Sequence, residues 1–373
     1  MTDQQEQSLD PAQIETDVRT GLGAPSAEVT EGRQNSLWSD AWGQLRRNPL
    51  FWIGSFLGVF FVLMAIFPSW FARGADPRSC SLTESKQPPS SAHWMGFDQQ
   101  GCDYLANVVY GARTSLTIGL LSVIGVLLLG VIIGAVAGYY GGIADSLLAR
   151  LTDIFFALPL ILGALILLRV GPSTGLPILS NRGAGAVAIA LSAFGWMTAM
   201  RLVRSQVIAV KSQDYVAAAR AMGASNFRIL TRHILPNAVA PVLVYSTITV
   251  GVLIAAEATL TYLGVGLQRP AISWGLQIEN GQSLLRTAPH LVLFPSIILS
   301  LTVMAFIMMG DALRDALDPR QRSWAPAAVP SPPPRRRRPT TRAPARCSRS
   351  TTCTSSSAPA TAWPRRSTAP TST

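Results

Sequence analysis

Long apolar stretches separated by short polar loops dominate the chain. A bilayer core of about 30 Å is crossed by roughly 20 apolar residues in an α-helix, because every backbone polar group is then satisfied within the helix. The pattern predicts an all-α membrane protein, with six transmembrane helices over residues 50–70, 116–139, 154–170, 185–200, 238–262 and 291–309.

The placement of Lys and Arg predicts the orientation, because short loops rich in these residues stay in the cytoplasm. Two arginines precede the first helix, and the loop 201–237 carries Arg201, Arg204, Lys211, Arg220, Arg228 and Arg232. Six crossings place these two regions on the same side, in agreement with the charge rule. We expect both termini and this loop in the cytoplasm, and the segment 71–113 outside.

The region ahead of the first helix has two parts. Residues 1–37 are polar and acidic, which excludes a cleaved signal peptide and predicts a disordered cytoplasmic N-terminus. Trp38, Trp42 and Leu45 then recur at helical spacing beside two arginines, which predicts an amphipathic interfacial helix over residues 38–49. A polar tail with scattered tryptophans is the alternative.

The formal net charge of +11 is concentrated at the C-terminal end. The segment 323–373 holds nine of the 31 Lys and Arg residues and no acid, which leaves 22 basic against 20 acidic residues elsewhere. The nearly neutral body argues against a nucleic-acid partner. The Pro/Arg-rich segment cannot bury a core and is predicted to be disordered. Its abrupt change of composition suggests a coding region read in another frame.

Motifs that carry chemistry are scarce. The chain has no glycine-rich phosphate loop, and its four cysteines lack zinc-site spacing. No nucleophile or carboxylate pattern surrounds His93, His233 or His290. The sequence therefore predicts no enzyme active site, no metal site and no cofactor bound by this chain.

The most informative segment is DYVAAARAMGASNFRILTRHILPN, which begins at Asp214 and predicts two short helices around a turn. Asp214 or Ser212 can cap the first helix, and Gly223 can end it in a left-handed conformation. Ser225 can cap the second helix. Pro236 then marks the return into the membrane.

The second of these helices is predicted to be amphipathic. Phe227, Leu230 and Ile234 share one face, whereas Arg228 and Arg232 share roughly the opposite one. Such an element can seat in a groove of a soluble partner and transmit its motion. The alternative is an interfacial helix that lies on anionic lipid.

Ala218-Ala219, Gly223 and His233-Ile-Leu-Pro236 resemble the "EAA" loop of binding-protein-dependent importer permeases, which receives the ATPase subunit. The resemblance extends over residues 38–322 to permease subunits of dipeptide and oligopeptide importers. It is carried by RRNP (46–49), GFDQQGCD (96–103), YGARTSL (110–116), YLGVG (262–266), PAISWG (270–275) and GDALRDALDP (310–319).

The resemblance implies the type I ABC importer permease fold, with a core over residues 114–312, a cytoplasmic end over 313–322 and a coupling loop over 201–237. The positions matched to the loop, and therefore expected to couple to the ATPase, are Asp214, Tyr215, Ala218, Ala219, Arg220, Gly223, Phe227, Arg228, Arg232, His233 and Pro236.

The resemblance also implies an assembly in the bacterial cytoplasmic membrane. Its expected members are a second homologous permease, two ATPase subunits that bind ATP and magnesium, an extracytoplasmic substrate-binding protein and the surrounding lipid. The implied cargo is a dipeptide or oligopeptide. Nickel complexes, glutathione or haem are alternative cargoes, and a membrane-anchored protein that only recruits a partner is an alternative from another class.

Two positions depart from the family pattern. Ala217 stands where the loop customarily has glutamate, so any charged contact made there is missing or replaced, with Arg220 as the candidate replacement. Cys102 stands where the external string usually has arginine, and Cys80 precedes it in the same external segment. Disulfides persist outside the cytoplasm, so we expect a Cys80–Cys102 bond, with two free thiols as the alternative.

Glu257 is an acidic residue within the fifth predicted helix, near its outer end. A charged group inside a membrane is costly unless it faces a cavity or a partner. We consider Glu257 a candidate wall of the solute pathway, where it would meet a peptide's amino group. The alternative is a hydrogen bond that packs two helices together.

Overall fold

The computed structural model describes residues 42–175 and 183–317, and long α-helices form most of this part of the chain. The five long helices are α1 (Pro49–Ile66), α3 (Tyr104–Tyr140), α6 (Ala184–Lys211), α9 (Leu235–Tyr262) and α11 (His290–Leu317). The shorter ones are α2 (Pro68–Phe71), α4 (Gly142–Phe156), α5 (Leu160–Val170), α7 (Asp214–Ala221), α8 (Asn226–Ile229) and α10 (Trp274–Gln282). The predicted all-α class is confirmed.

The third predicted transmembrane segment, 154–170, is wrong as a single helix. Among the described residues, five helical runs are long and apolar enough to cross a membrane. α4 with the helical stretch that begins at Leu160 forms a sixth span only if this pair, bent by 82°, is counted together. The break lies at Leu158 and Pro159. Proline has no backbone N–H and disfavours helical geometry in the residue before it, so the apolar run splits there.

Two other helices are longer than their apolar stretches predicted. α3 begins at Tyr104, and the side chain of Asp103 caps it by accepting a hydrogen bond from the amide of Ala106. The helix therefore begins inside the predicted external segment 71–113, whose position relative to the membrane stays a prediction. α6 continues to Lys211, so Arg201, Arg204 and Lys211 lie on a helix rather than in a loop. Charged residues end an apolar run, but they do not end a helix.

Glycines bring α3 and α6 into close contact, as small residues do in membrane bundles. A Cβ atom at Gly134 would lie 2.6 Å from the carbonyl oxygen of Met200, and one at Gly138 would lie 2.9 Å from that of Arg204. Two ion pairs also join α4 to α6. The guanidinium of Arg204 donates two hydrogen bonds to the carboxylate of Asp145, at 2.5 and 2.7 Å, and that of Arg201 donates one to Asp153 at 2.8 Å.

The predicted interfacial helix over 38–49 does not continue as expected. Residues 42–45 are helical, but a turn follows and α1 starts separately at Pro49. Trp42 is exposed, whereas Leu45 is buried against Ala312 and Ala316 of α11, so its apolar contact is with protein rather than lipid. Trp38, the N-terminus 1–37 and the tail 323–373 lie outside the described residues.

Candidate functional site

The loop between α6 and α9 holds the predicted coupling residues. Asp214, Tyr215, Ala218, Ala219 and Arg220 lie on α7, Gly223 lies in the turn, Phe227 and Arg228 lie on α8, Arg232 and His233 follow α8, and Pro236 lies at the start of α9. The structure therefore gathers these positions in one small unit of two helices and a turn. Their role in coupling stays a prediction.

The turn of the loop has the geometry that its sequence predicts. Gly223 adopts a left-handed conformation, with φ of +81°, and its amide donates to the carbonyl of Arg220. The amide of Ala224 reaches back to the carbonyl of Ala219, as in the common glycine-terminated helix end. The hydroxyl of Ser225 accepts from the amide of Arg228, so it caps the second helix.

The expected cap of the first loop helix is wrong. Gln213 occupies the cap position of α7 in an extended conformation and makes no side-chain capping bond. The hydroxyl of Ser212 instead donates to the carbonyl of Ala209 at 2.9 Å, and Asp214 is already the first helical residue. Asp214 still lies where a carboxylate is favourable, because the helix dipole is positive at this end.

The second loop helix does not end before the membrane. α8 passes through a π-helical turn, Leu230–Ile234, directly into α9, which gives one helical run from Asn226 to Tyr262. Pro236 therefore lies inside this run rather than at a boundary. The π turn shifts the hydrogen-bond register by one residue just before Pro236, which itself has no N–H to donate. The loop helix and the transmembrane helix form one continuous element.

The π turn also changes which residues face inward. Ile229 and Ile234 are fully buried against α7, whereas Phe227 is 76% exposed. The predicted face of Phe227, Leu230 and Ile234 is therefore wrong at Phe227. A π turn places residues five apart on one side, so Ile229 and Ile234 align where ordinary helical spacing pairs other positions.

A basic cleft of about 360 Å³ opens between the two loop helices. It is lined by Ala219, Met222, Gly223, Ala224, Arg228, Arg232 and His233. The ion pairs within residues 42–175 and 183–317 include neither arginine of the cleft. Met222, 81% exposed, lies at its edge. The cleft can therefore accept an acidic side chain next to an apolar one.

Long-range hydrogen bonds attach this loop to the membrane helices. The phenol of Tyr139, at the end of α3, donates to the side-chain oxygen of Asn226 at 2.8 Å. The side-chain amide of Asn237 donates to the phenol of Tyr215 at 3.1 Å, which joins α9 to α7. No local sequence signal marks Tyr139, Asn226 or Asn237 as contact residues, because their partners lie far apart along the chain.

On the predicted outer side, Cys80 and Cys102 form a disulfide. Both residues line a cavity of about 380 Å³ between the external segment and the stretch 269–281. The carboxylate of Asp98 accepts from the amides of Gln100 and Cys102 in the same wall, and burial raises the pKa of Asp98 against the lowering effect of these donors. The bond thus closes one side of the cavity.

We expect the bond to persist in the purified protein and to stabilise the external segment. Closing a loop of 22 residues lowers the entropy of the unfolded segment, which stabilises the folded segment by about 3 kcal/mol in the chain-entropy estimate. Replacing Cys102 by Ser should therefore speed proteolytic cleavage between the two cysteines. Mass mapping before and after reduction checks the pairing, and two free thiols without reductant would contradict it.

Glu257 is fully buried within the chain. One carboxylate oxygen accepts from the hydroxyl of Thr261 at 3.0 Å, and the other has no hydrogen-bond partner among the described residues. Glu257 lines neither the outer cavity nor the basic cleft. Glu257 and Thr261 both lie on α9, so this bond does not join two helices, and the pathway and packing interpretations of Glu257 both stay predictions.

Within the described ranges, no three His, Cys, Asp or Glu side chains are arranged to hold a metal ion. His93 bonds to Asp103 at 2.8 Å, and His290 is buried near the carbonyl of Phe97. These contacts link the external segment to α3 and α11. What the loop offers instead is a basic cleft next to long apolar helices.

Several known proteins resemble this chain. The oligopeptide transport system permease protein OppC of Bacillus subtilis (strain 168) is 38% identical over 299 residues, which cover 80% of this chain and 95% of that protein. The dipeptide transport system permease protein DppC of the same strain is 38% identical over 77% of this chain and 87% of its own length. The glutathione transport system permease protein GsiD of Pectobacterium atrosepticum is 35% identical over 77% and 92%.

Two family models match separate parts of the chain. The N-terminal transmembrane domain of oligopeptide transport permease C matches residues 36–89, and the inner membrane component of binding-protein-dependent transport systems matches residues 130–323. The second match contains both ion pairs between α4 and α6 as well as the whole coupling loop. The chain therefore belongs to the family of binding-protein-dependent transport system inner membrane components.

Proposed function

We propose that this chain is the transmembrane subunit of an ATP-driven importer that moves dipeptides or oligopeptides into a bacterial cell. The coupling loop is the observation that carries the proposal, because its second helix is continuous with the membrane-spanning helix α9. The cargo rests on the similarity to peptide permeases at 38% identity, compared with 35% for the glutathione permease.

The proposed assembly contains a second homologous permease, two ATPase subunits that hold ATP and magnesium, and an extracytoplasmic binding protein. Both termini and the coupling loop lie in the cytoplasm, in agreement with the arginines in and beside the loop. This chain supplies the pathway and the coupling surface. The hydrolysis of ATP takes place on the partner subunits.

Movement begins at the ATPase pair. ATP-driven closure pushes the unit of α7 and α8, and the continuous helical backbone from Asn226 to Tyr262 carries this displacement into the membrane. The cavity between the two permeases then opens outward and receives the peptide from the binding protein. After hydrolysis the reverse movement releases the peptide into the cytoplasm.

The docking chemistry follows from the departure at Ala217. A glutamate there would offer the ATPase a negative charge, whereas this loop presents Arg228 and Arg232 in a cleft with Met222 at its edge. The matching ATPase surface therefore carries an acidic side chain beside an apolar one. Interfacial charge pairs of this kind select the partner and its register.

Uptake in cells tests the cargo directly. Deletion of this chain should reduce the uptake of labelled dipeptides to background, and the restored chain should recover it. The uptake of labelled glutathione, measured in the same cells, should stay unchanged and serves as the control. A loss of glutathione uptake with intact dipeptide uptake would overturn the proposed cargo.

A further inference from the structure

Tyr139 lies where three cytoplasmic elements meet. It is the penultimate residue of α3, and its side chain is only 4% exposed. Its ring belongs to a cluster of buried side chains from α6, α7, α8 and the π turn, namely Val203, Val207, Val216, Ala219, Ile229 and Ile234. A displacement of the loop helices therefore reaches the ring of Tyr139 through packed side chains.

Polar contacts fasten the same residue to two of these elements. Its phenol donates to the side chain of Asn226, the first residue of α8, at 2.8 Å. The ammonium of Lys211, the last residue of α6, donates to its backbone carbonyl and lies 5.4 Å from the ring. Carbonyls at the end of a helix lack partners within the helix, so Lys211 satisfies one of them and ties α3 to α6.

The contact at Asn226 joins Tyr139 to the first residue of a membrane-spanning helical run. Asn226 is the first residue of the continuous run that ends at Tyr262, and the bond between Tyr215 and Asn237 joins α7 to the same run. The phenol of Tyr139 is thus a direct polar contact from this run to α3, which at 37 residues is as long as the run itself. α3 has no covalent link to the loop except through α4, α5 and α6.

We infer that Tyr139 is a positioning residue for energy coupling, which makes α3 move together with the α8–α9 run when the ATPase displaces the loop. The inference rests on the proposed function. Without the phenol, the ring still fills its place in the cluster, but the start of α8 can shift relative to α3. The ATPase then still hydrolyses ATP, but fewer of its cycles open the pathway.

The test is the number of peptides moved per ATP hydrolysed. The complete importer, reconstituted in liposomes with its binding protein, is compared between wild type and Tyr139→Phe. We expect the ATPase subunits to co-purify normally and ATP hydrolysis to stay within about twofold, while peptide uptake per ATP falls about fivefold, the lower end of typical coupling effects. An unchanged ratio would overturn the inference.

Tyr140→Phe is the matched control, because Tyr140 is adjacent but 60% exposed and forms no side-chain hydrogen bond with the described residues. Asn226→Ala removes the same bond from the other side and should lower the ratio to the same extent, with no further loss in the double variant. If Tyr139→Phe fails to assemble, Asn226→Ala decides. Failure of the wild-type chain to bind any ATPase would instead refute the proposed function.

Discussion

Gly223→Pro should abolish peptide uptake. Gly223 has φ of +81°, whereas the proline ring holds φ near about −65°, and the substitution also removes the amide that donates to Arg220. A cost of about 3 kcal/mol or more falls on the turn that sets the angle between α7 and α8. The measurement is uptake of labelled dipeptide at matched levels of the chain in the membrane.

Gly223→Asn is the matched control. Asparagine enters the left-handed region more readily than most residues, and nothing lies within 4 Å of the position that its Cβ would take. Uptake should therefore stay within about twofold of wild type, since the strain is a small part of the proline cost. If the proline variant transports normally, the turn does not take part in coupling.

Arg228→Glu should prevent stable binding of the ATPase. The substitution places a negative charge in the cleft where the partner is expected to bring its own acid, and like charges at an interface cost several kcal/mol. A loss of only about 1.4 kcal/mol already weakens binding tenfold. Co-purification of the ATPase subunits with the tagged chain measures the effect.

Arg150→Glu is the corresponding control, because Arg150 is exposed on α4, takes no part in the described ion pairs and lies outside the cleft. It makes the same charge change outside the cleft that we propose as the docking surface. Equal recovery of the ATPase with both variants would contradict the acidic-partner assignment. Reduced binding to anionic vesicles with full ATPase recovery would favour the lipid-bound alternative for α8.

The apolar pattern predicted most of the membrane fold, because a bilayer admits few ways to satisfy a backbone. It failed where a local rule competes with hydropathy. Pro159 stands inside an apolar run and breaks it into α4 and α5. Arg201 and Arg204 end the next run for a hydropathy count, yet the helix continues through them, since their side chains pair with acids of α4.

The candidate site was predictable in its turn but not in its contacts. A glycine in a left-handed turn and a serine cap have local signatures, and the structure has both at Gly223 and Ser225. The π turn has no such signature, so the inward face of α8 was assigned wrongly at Phe227. The bond between Tyr139 and Asn226 depends on how α3 and α9 pack, which only the folded bundle determines.

The continuous run from Asn226 to Tyr262 would act as a lever if it moves as one body in the proposed transport cycle. Its 37 residues span about 55 Å at 1.5 Å per residue. If the bilayer midplane acts as the fulcrum, a sideways step of the cytoplasmic end produces a step of similar size, in the opposite direction, at the outer end. Glu257 and Thr261 lie on that outer arm. In that case a displacement at Asn226 moves the outer end of the helix at the same time and in the opposite direction.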